Sequence, residues 1–305
     1  MSRRLVRGAK AATHFASLRN KDGLATSMFI EDVPLGIMPI RSSQMKGYSA
    51  ELVGKAKDNE RALAVLQSFQ EYERHDLNEI VASAIHEISQ DMAWHGRSAF
   101  EIIVSDGDPQ VRLERFTPLR LLRVGLMYLQ IIPRGDRKFW KRSISILSAR
   151  DVWLISVPSE LGGTHKYRKI LKMLRRGDRM APGFWQRDLA EGTVTGAFDF
   201  SEYRRETEIC EARATRTWGW TRRDFSGRNW TEFALFYRLM TFRWAQAILR
   251  EHIVSELNSL FQRLSIEIEL QVFGLPSSAD VSRLRNAMTE GRISYAKAID
   301  ASSIS

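Results

Sequence analysis

Apolar positions along the chain follow two periods, one of three to four residues and one of two. From Asp58 onward Leu63, Val65, Leu66, Phe69, Tyr72, Leu77, Ile80, Val81, Ala84, Ile85 and Ile88 recur at steps of three and four. This spacing predicts amphipathic helix in two pieces, broken near Arg74–Asp76 and running to Trp94, where "HGRS" stops it. Phe100, Ile102 and Val104 then alternate, "DGDP" turns the chain, and Val111 and Leu113 alternate back, which predicts a β-hairpin. "YLQIIPRGDRKFWKRSISIL" repeats the idea with "PRGD" as its turn, and "DVWLISVP" adds an apolar strand bounded by Pro158.

The second half returns to the helical period. "HKYRKILKMLRR" sets Tyr167, Ile170, Leu171 and Leu174 on one face of a basic helix. "SEYRRETEICEARATRT" reads as a charged helix, and Phe233 to Leu264 as one long helix. "IEIELQVF" alternates strictly and predicts a strand, after which Ser278 caps a closing helix. Residues 181–200 mix Pro, Gly, Thr and Phe and read as loop, and residues 1–55 read as an extended arm with short strands. The predicted class is α+β, with helices around a small antiparallel β region.

Composition narrows the picture. A chain of 305 residues, 44% hydrophobic, can bury a core as one large domain or two modest ones. The net charge of +10 and pI of about 9.9 suit a polyanionic partner, and equally an arginine-rich solvated surface. Cys210 stands alone, so no intramolecular disulfide forms, which fits a reducing compartment. No run approaches the roughly 18 apolar residues of a membrane span, so no membrane partner is expected. The basic start lacks the apolar run of a secretory signal. It could serve as a transit peptide, but Gly8, Asn20 and Gly23 break a long helix and favour a flexible arm.

No catalytic residue, metal site or cofactor is expected. "HEISQ" begins like a zinc-protease helix, but Gln90 stands where a second histidine ligand is needed. Phosphate loops, dinucleotide fingerprints and nucleophile elbows are missing from the sequence. Basic clusters stand out instead. Arg134, Arg137, Lys138, Lys141 and Arg142 surround a predicted turn, and Lys166, Arg168, Lys169, Lys172, Arg175, Arg176 and Arg179 crowd one helix. Neither cluster carries an aromatic stacking platform or a base-reading motif, so nucleic acid would be met at its phosphates. Acidic faces of neighbouring subunits are an equal reading.

Taken in order, the pieces resemble the portal protein of tailed bacteriophages. "MAWHGRSAFEIIV" is similar to the family's passage from helix through a Gly turn into a strand, and "RFTPLRLLRVG" to its Leu/Pro entry into a β-rich segment. "SARDVWLISVPSELGGTHKYRKILKML" resembles the family's strand, Gly-rich turn and helix. "FDFSEYRRETEICEARATRTWGW" and "FALFYRLMTFRWAQAILREHIVSELNSLFQRL" resemble the helices that follow. The similarity is spread over most of residues 60–300, with no single diagnostic motif. Two departures stand beside it: the chain is short for a portal, and its charge is positive where portal channels are often acidic.

The resemblance implies a portal-like, ring-forming fold with helical wing and stem and a small crown. Its parts would be an arm over 1–55, wing helices and hairpin over 56–115 and a candidate clip over 116–149. Wing and stem helices over 150–215, a candidate tunnel loop over 216–232, the long helix over 233–264 and a crown-like region over 265–305 would follow. It further implies a homo-oligomeric ring of about twelve subunits at one capsid vertex of the virion, assembled in the host cytoplasm. Double-stranded DNA would pass through it, with major capsid protein, terminase and neck or adaptor proteins as partners.

Arg134, Arg137, Lys138, Lys141 and Arg142 would then be clip contacts. Lys166, Lys169, Lys172 and Arg176 would pair with Glu202 and Glu206 across subunits. In "WGWTRRDFSGRNWTEF", Trp218, Trp220 and Trp230 would anchor a loop by burial. Arg222, Arg223 and Arg228 would face DNA phosphates or a neighbouring subunit. The alternatives are a nucleic-acid-binding protein that is not a portal and, least of all, an enzyme with a non-obvious site.

Overall fold

The computed structural model describes residues 10–18, 22–39, 47–70, 75–104, 111–179, 200–222 and 231–303. In chain order the helices are α1 (Leu24–Leu35), α2 (Asn59–Gln67), α3 (Leu77–His95), α4 (Arg137–Trp140), α5 (Gly163–Asp178), α6 (Phe200–Ala214), α7 (Glu232–Arg263), α8 (Ser278–Thr289) and α9 (Tyr295–Ser302). The strands are β1 (Ser49–Gly54), β2 (Arg97–Val104), β3 (Val111–Arg115), β4 (Leu121–Val124), β5 (Met127–Ile131), β6 (Ile144–Ser148), β7 (Val152–Ser156) and β8 (Ile268–Phe273). Among the described residues they form three small antiparallel sheets, ordered β1-β8, β3-β2-β7 and β4-β5-β6, and the fold is α+β.

Thr231 opens α7, its side chain accepting from the Ala234 amide, and the helix runs 32 residues, roughly 48 Å at 1.5 Å per residue. Ala245, Leu249, Ile253, Leu257, Leu260 and Phe261 line its core side. They meet α3, whose Ile80, Ala84, Ile85, Ile88 and Met92 are fully buried, and α1 with Phe29, Ile30 and Val33. The β1-β8 ladder, from Ser49 opposite Phe273 to Gly54 opposite Ile268, closes one side of this core. β1, which precedes α2 and α3, thus pairs with the strand that follows α7. Helices α8 and α9 cover the other end of α7 through Met240, Val281, Met288 and Ala298.

Two local expectations are corrected. The arm over 1–55 contains β1, but it also contains α1, a full helix with Pro34 in its last turn. Ala25, Phe29, Ile30 and Val33 do form one buried face against α3 and α5, but Leu24 and Leu35 stand exposed on the other side while Thr26 and Asp32 are buried, so the apolar pattern of α1 is blurred. The closing helix is capped by Ser277, not Ser278: its hydroxyl accepts from the Asp280 amide, and the Asp280 carboxylate accepts from the Ser277 amide in return.

Candidate functional site

β4, β5 and β6 form a lobe over the segment read as a candidate clip. Residues directly opposed in an antiparallel ladder share a face. Leu121, Gln130 and Ser145 therefore lie on one face, and Leu122, Leu129 and Ile146 on the other. The first face is covered. Leu121 and Leu147 join Phe116, Ala99, Val152 and Ala11 in a small core of their own.

Residues 10–18 complete that cover as an extended strap held largely through its backbone. Glu101 accepts from the Lys10 and Ala11 amides, at 2.9 and 2.8 Å. Gln130, fully buried, accepts from the Ala12 amide at 2.7 Å and donates to the Ala12 and Thr117 carbonyls. Trp140 donates to the His14 carbonyl at 3.1 Å, and Asp136 accepts from the Ala16 and Ser17 amides. Burial pushes the Asp136 carboxyl up, but these amides and the Ser17 hydroxyl outweigh it and hold it below the usual carboxylate range.

"PRGD" is therefore not the tight hairpin turn that the sequence predicts. β5 and β6 do pair, from Met127 opposite Ser148 to Ile131 opposite Ile144. Between them lie a 3-10 turn at Arg134–Asp136 and the short α4. The strap accounts for the insertion, because Asp136 must reach inward to bind it.

The second face of the lobe is bare. Leu122, Val124, Met127, Ile144 and Ile146 stand about half exposed there, with Leu126 at the tip 81% exposed. A solvated face of an antiparallel sheet is ordinarily polar. A contiguous apolar face of this kind marks an interaction surface. Between Phe116 and Arg150 the chain carries eight arginines and lysines and one acid, Asp136. This segment therefore bears seven of the ten net positive charges, and its one acid, Asp136, faces the strap. Arg134, Arg137, Lys138 and Lys141 are exposed, Arg142 is half-buried, and the Lys138 ammonium lies 5.0 Å over the Phe139 ring.

The tryptophan loop sits elsewhere. Trp218 is fully buried, edge-on to Phe29 at 5.9 Å and 5.3 Å from Tyr167, and Trp220 meets Phe29 at 5.4 Å. Gly219 between them has φ of 74°, and a Cβ there would stand 2.4 Å from the Arg238 carbonyl oxygen of α7, so no side chain fits. Arg222 turns back onto Glu211 of α6 at 2.6 Å. Arg223, Arg228 and Trp230 lie outside the described residues.

Lys166, Lys169, Lys172 and Arg176 are exposed along α5, and Glu206 is half-buried on α6. The side chain of Glu202 lies outside the described residues. The two helices pack together within one chain.

The strap and its receptors escaped sequence reasoning because Glu101 and Gln130 read as ordinary strand positions. Among the described residues no group of three or more His, Cys, Asp or Glu could hold a metal ion, and no helix is long and apolar enough to cross a membrane. No protein-family model matches the chain, and no curated protein matches it.

Proposed function

We propose that this chain is a portal protein of a tailed bacteriophage, one subunit of a ring at a capsid vertex through which double-stranded DNA is packaged and ejected. The order of helices, hairpin, β lobe and long helix supports this reading. The observation that carries it is the lobe's bare apolar face amid a concentration of cations. Two such lobes set face to face would bring like charges together, which costs binding energy. The lobe therefore suits a different partner with an acidic rim around an apolar centre. In the portal reading that partner is the terminase during packaging, then the neck or adaptor proteins. The ring itself closes through head-to-tail contacts, and the cations exposed on α5 are available to them. The major capsid protein would contact the ring's outer edge.

Mass measurement and negative-stain imaging of the purified protein test the reading. The expected result is a ring of about twelve subunits with a central hole. A strictly monomeric species, alone and with scaffold protein present, would overturn it.

A second reading has an observation of its own. Seven net positive charges on one lobe also suit a non-sequence-specific nucleic-acid-binding protein. That reading predicts a monomer or dimer with tight DNA binding and a steep salt slope; a flat slope counts against it.

A further inference from the structure

A cleft of about 700 Å3 lies between the C-terminal end of α3, the outer face of α5, the segment after β3 and the strap. Gly96, with φ of 74°, ends α3 and turns the chain into β2, leaving the His95 carbonyl at the helix end. Arg168 of α5 donates its Nε to that carbonyl at 3.2 Å. Arg168, Leu171 and Arg175 follow one another at steps of three and four, so one face of α5 presents all three to the cleft. Trp94 and His95 of α3 form the facing wall with Asp91, and Thr117 and Pro118 follow from β3.

The charges around this cleft are unevenly paired. Arg175 is bidentate to Asp22, at 2.6 and 3.3 Å, and the Asp22 side chain is almost fully enclosed. Arg115 lies 3.1 Å from Glu87 and 3.5 Å from Asp91. Arg168 and the neighbouring Arg97 have no carboxylate partner among the described residues. Arg97 donates Nη2 to the Pro118 carbonyl at 2.5 Å, and its Nε is buried without a partner. Arg97 feels the charge of Arg168 with no carboxylate paired to either among the described residues, an arrangement unfavourable in isolation and favourable around an anion.

His95 adds no charge. Burial, and then Arg168, Arg115, Arg175 and Arg97, push its imidazole down to about 4, so the ring is neutral near pH 7. Trp94 stands partly exposed in the wall as a flat apolar surface.

We propose that this cleft binds a phosphate group, taken by the free fork of the Arg168 guanidinium with Arg97 behind it, His95 as a neutral hydrogen-bond partner and Trp94 as an apolar wall. A planar guanidinium matches phosphate geometry in a way that a lysine ammonium does not. The volume accommodates a small phosphorylated molecule such as a nucleotide, and also one phosphate of a nucleic-acid strand with its neighbouring base. The site lies apart from the bare face of the β lobe and holds whether or not the chain forms a ring.

Thermal melting and calorimetry at low salt provide the test, with inorganic phosphate, a deoxynucleoside monophosphate and a short single-stranded oligonucleotide as probes. At least one probe is expected to raise Tm in the wild type. Arg168→Gln is expected to abolish that shift while melting at or above the wild-type Tm in phosphate-free buffer, because it removes a cation with no carboxylate partner. Arg168→Lys keeps the charge without the fork and is expected to weaken binding about tenfold; it also serves if Arg168→Gln fails to fold. A shift with the mononucleotide assigns the site to a small ligand, and a shift with the oligonucleotide alone assigns it to a strand phosphate. No shift with any probe, or a full shift retained in both Arg168 variants, would overturn the proposal.

Discussion

The indole nitrogen of Trp220 donates to the Asp32 carboxylate at 2.7 Å, joining the turn after α6 to the side of α1 across 188 positions of sequence. Arg238 of α7 completes the junction, donating to the Trp220 carbonyl at 2.7 Å and to the Thr215 hydroxyl at 3.0 Å. A stretch whose composition suggests a surface for binding nucleic acid thus begins, at Trp218–Thr221, as a buried corner where three helices meet. Trp220→Phe keeps the ring and removes the hydrogen bond to a buried carboxylate, at an expected cost of about 1–3 kcal/mol in urea unfolding. Trp220→Ala also opens a cavity and is expected to cost about 3–5 kcal/mol. Equal, negligible effects of the two would show that the corner does not hold the helices together.

The bare face of the lobe separates folding from docking. Leu122 and Ile146 lie on the same outward face, each more than half exposed. Leu122→Glu with Ile146→Glu is therefore expected to change the stability of the subunit by no more than about 0.5 kcal/mol per site. If the chain forms the proposed portal ring, ring mass is expected to stay the same while co-sedimentation with terminase is lost. Retained co-sedimentation would remove the lobe from the docking surface.

Glu101 ties the strap to the middle of a sheet. It is nearly fully buried, and its carboxylate accepts from the Lys10 and Ala11 amides. Glu101→Ala leaves those amides without their acceptor, at a cost of about 2–3 kcal/mol. Hydrogen exchange should speed up at residues 10–12 and stay slow in the core of α7. Uniform acceleration through both would mean that the strap and the core open together.

Acidification sets two groups of the α3 cleft against each other. The His95 imidazole is held down to about 4 by burial and by Arg168, Arg115, Arg175 and Arg97, so its contribution is full above its unfolded value of 6.5 and is lost as pH falls toward 4. The Asp91 carboxyl is pushed up to about 6 by burial, with Glu87 adding to it and Arg115 and Ser98 opposing it. Its contribution is full below 3.8 and is lost as pH rises through 6. Each is worth up to about 3 kcal/mol at about 1.4 kcal/mol per unit. Relative to wild type, His95→Gln should gain stability between pH 6.5 and 4, and Asp91→Asn should lose it. Parallel pH profiles for all three proteins would contradict both assignments.

Period and alternation sufficed for α3, α5, α7, β3 and β8, because each buries one face and leaves another nearer water, whereas β2, paired on both sides, is buried on both faces from Ser98 to Ile102 and was legible by its apolar alternation alone. α1 was hidden because its water-facing side carries Leu24 and Leu35 beside Glu31, while its buried side includes Thr26 and Asp32. The lobe's strands were legible as strands, but not the bareness of their outer face: alternation puts Leu122 and Ile146 on one face, and only the fold decides that the strap covers the other, with Leu121, Gln130 and Ser145. Asp136 reads as a turn residue and serves as a receptor for Ser17, 119 positions away. Arg175 reads as helix surface and grips Asp22. Sequence pattern is local, recording how a segment divides itself between water and core. Which charges end as pairs, as with Arg175 and Asp22, and which have no carboxylate among the described residues, as with Arg168, depends on distances that only the folded chain sets.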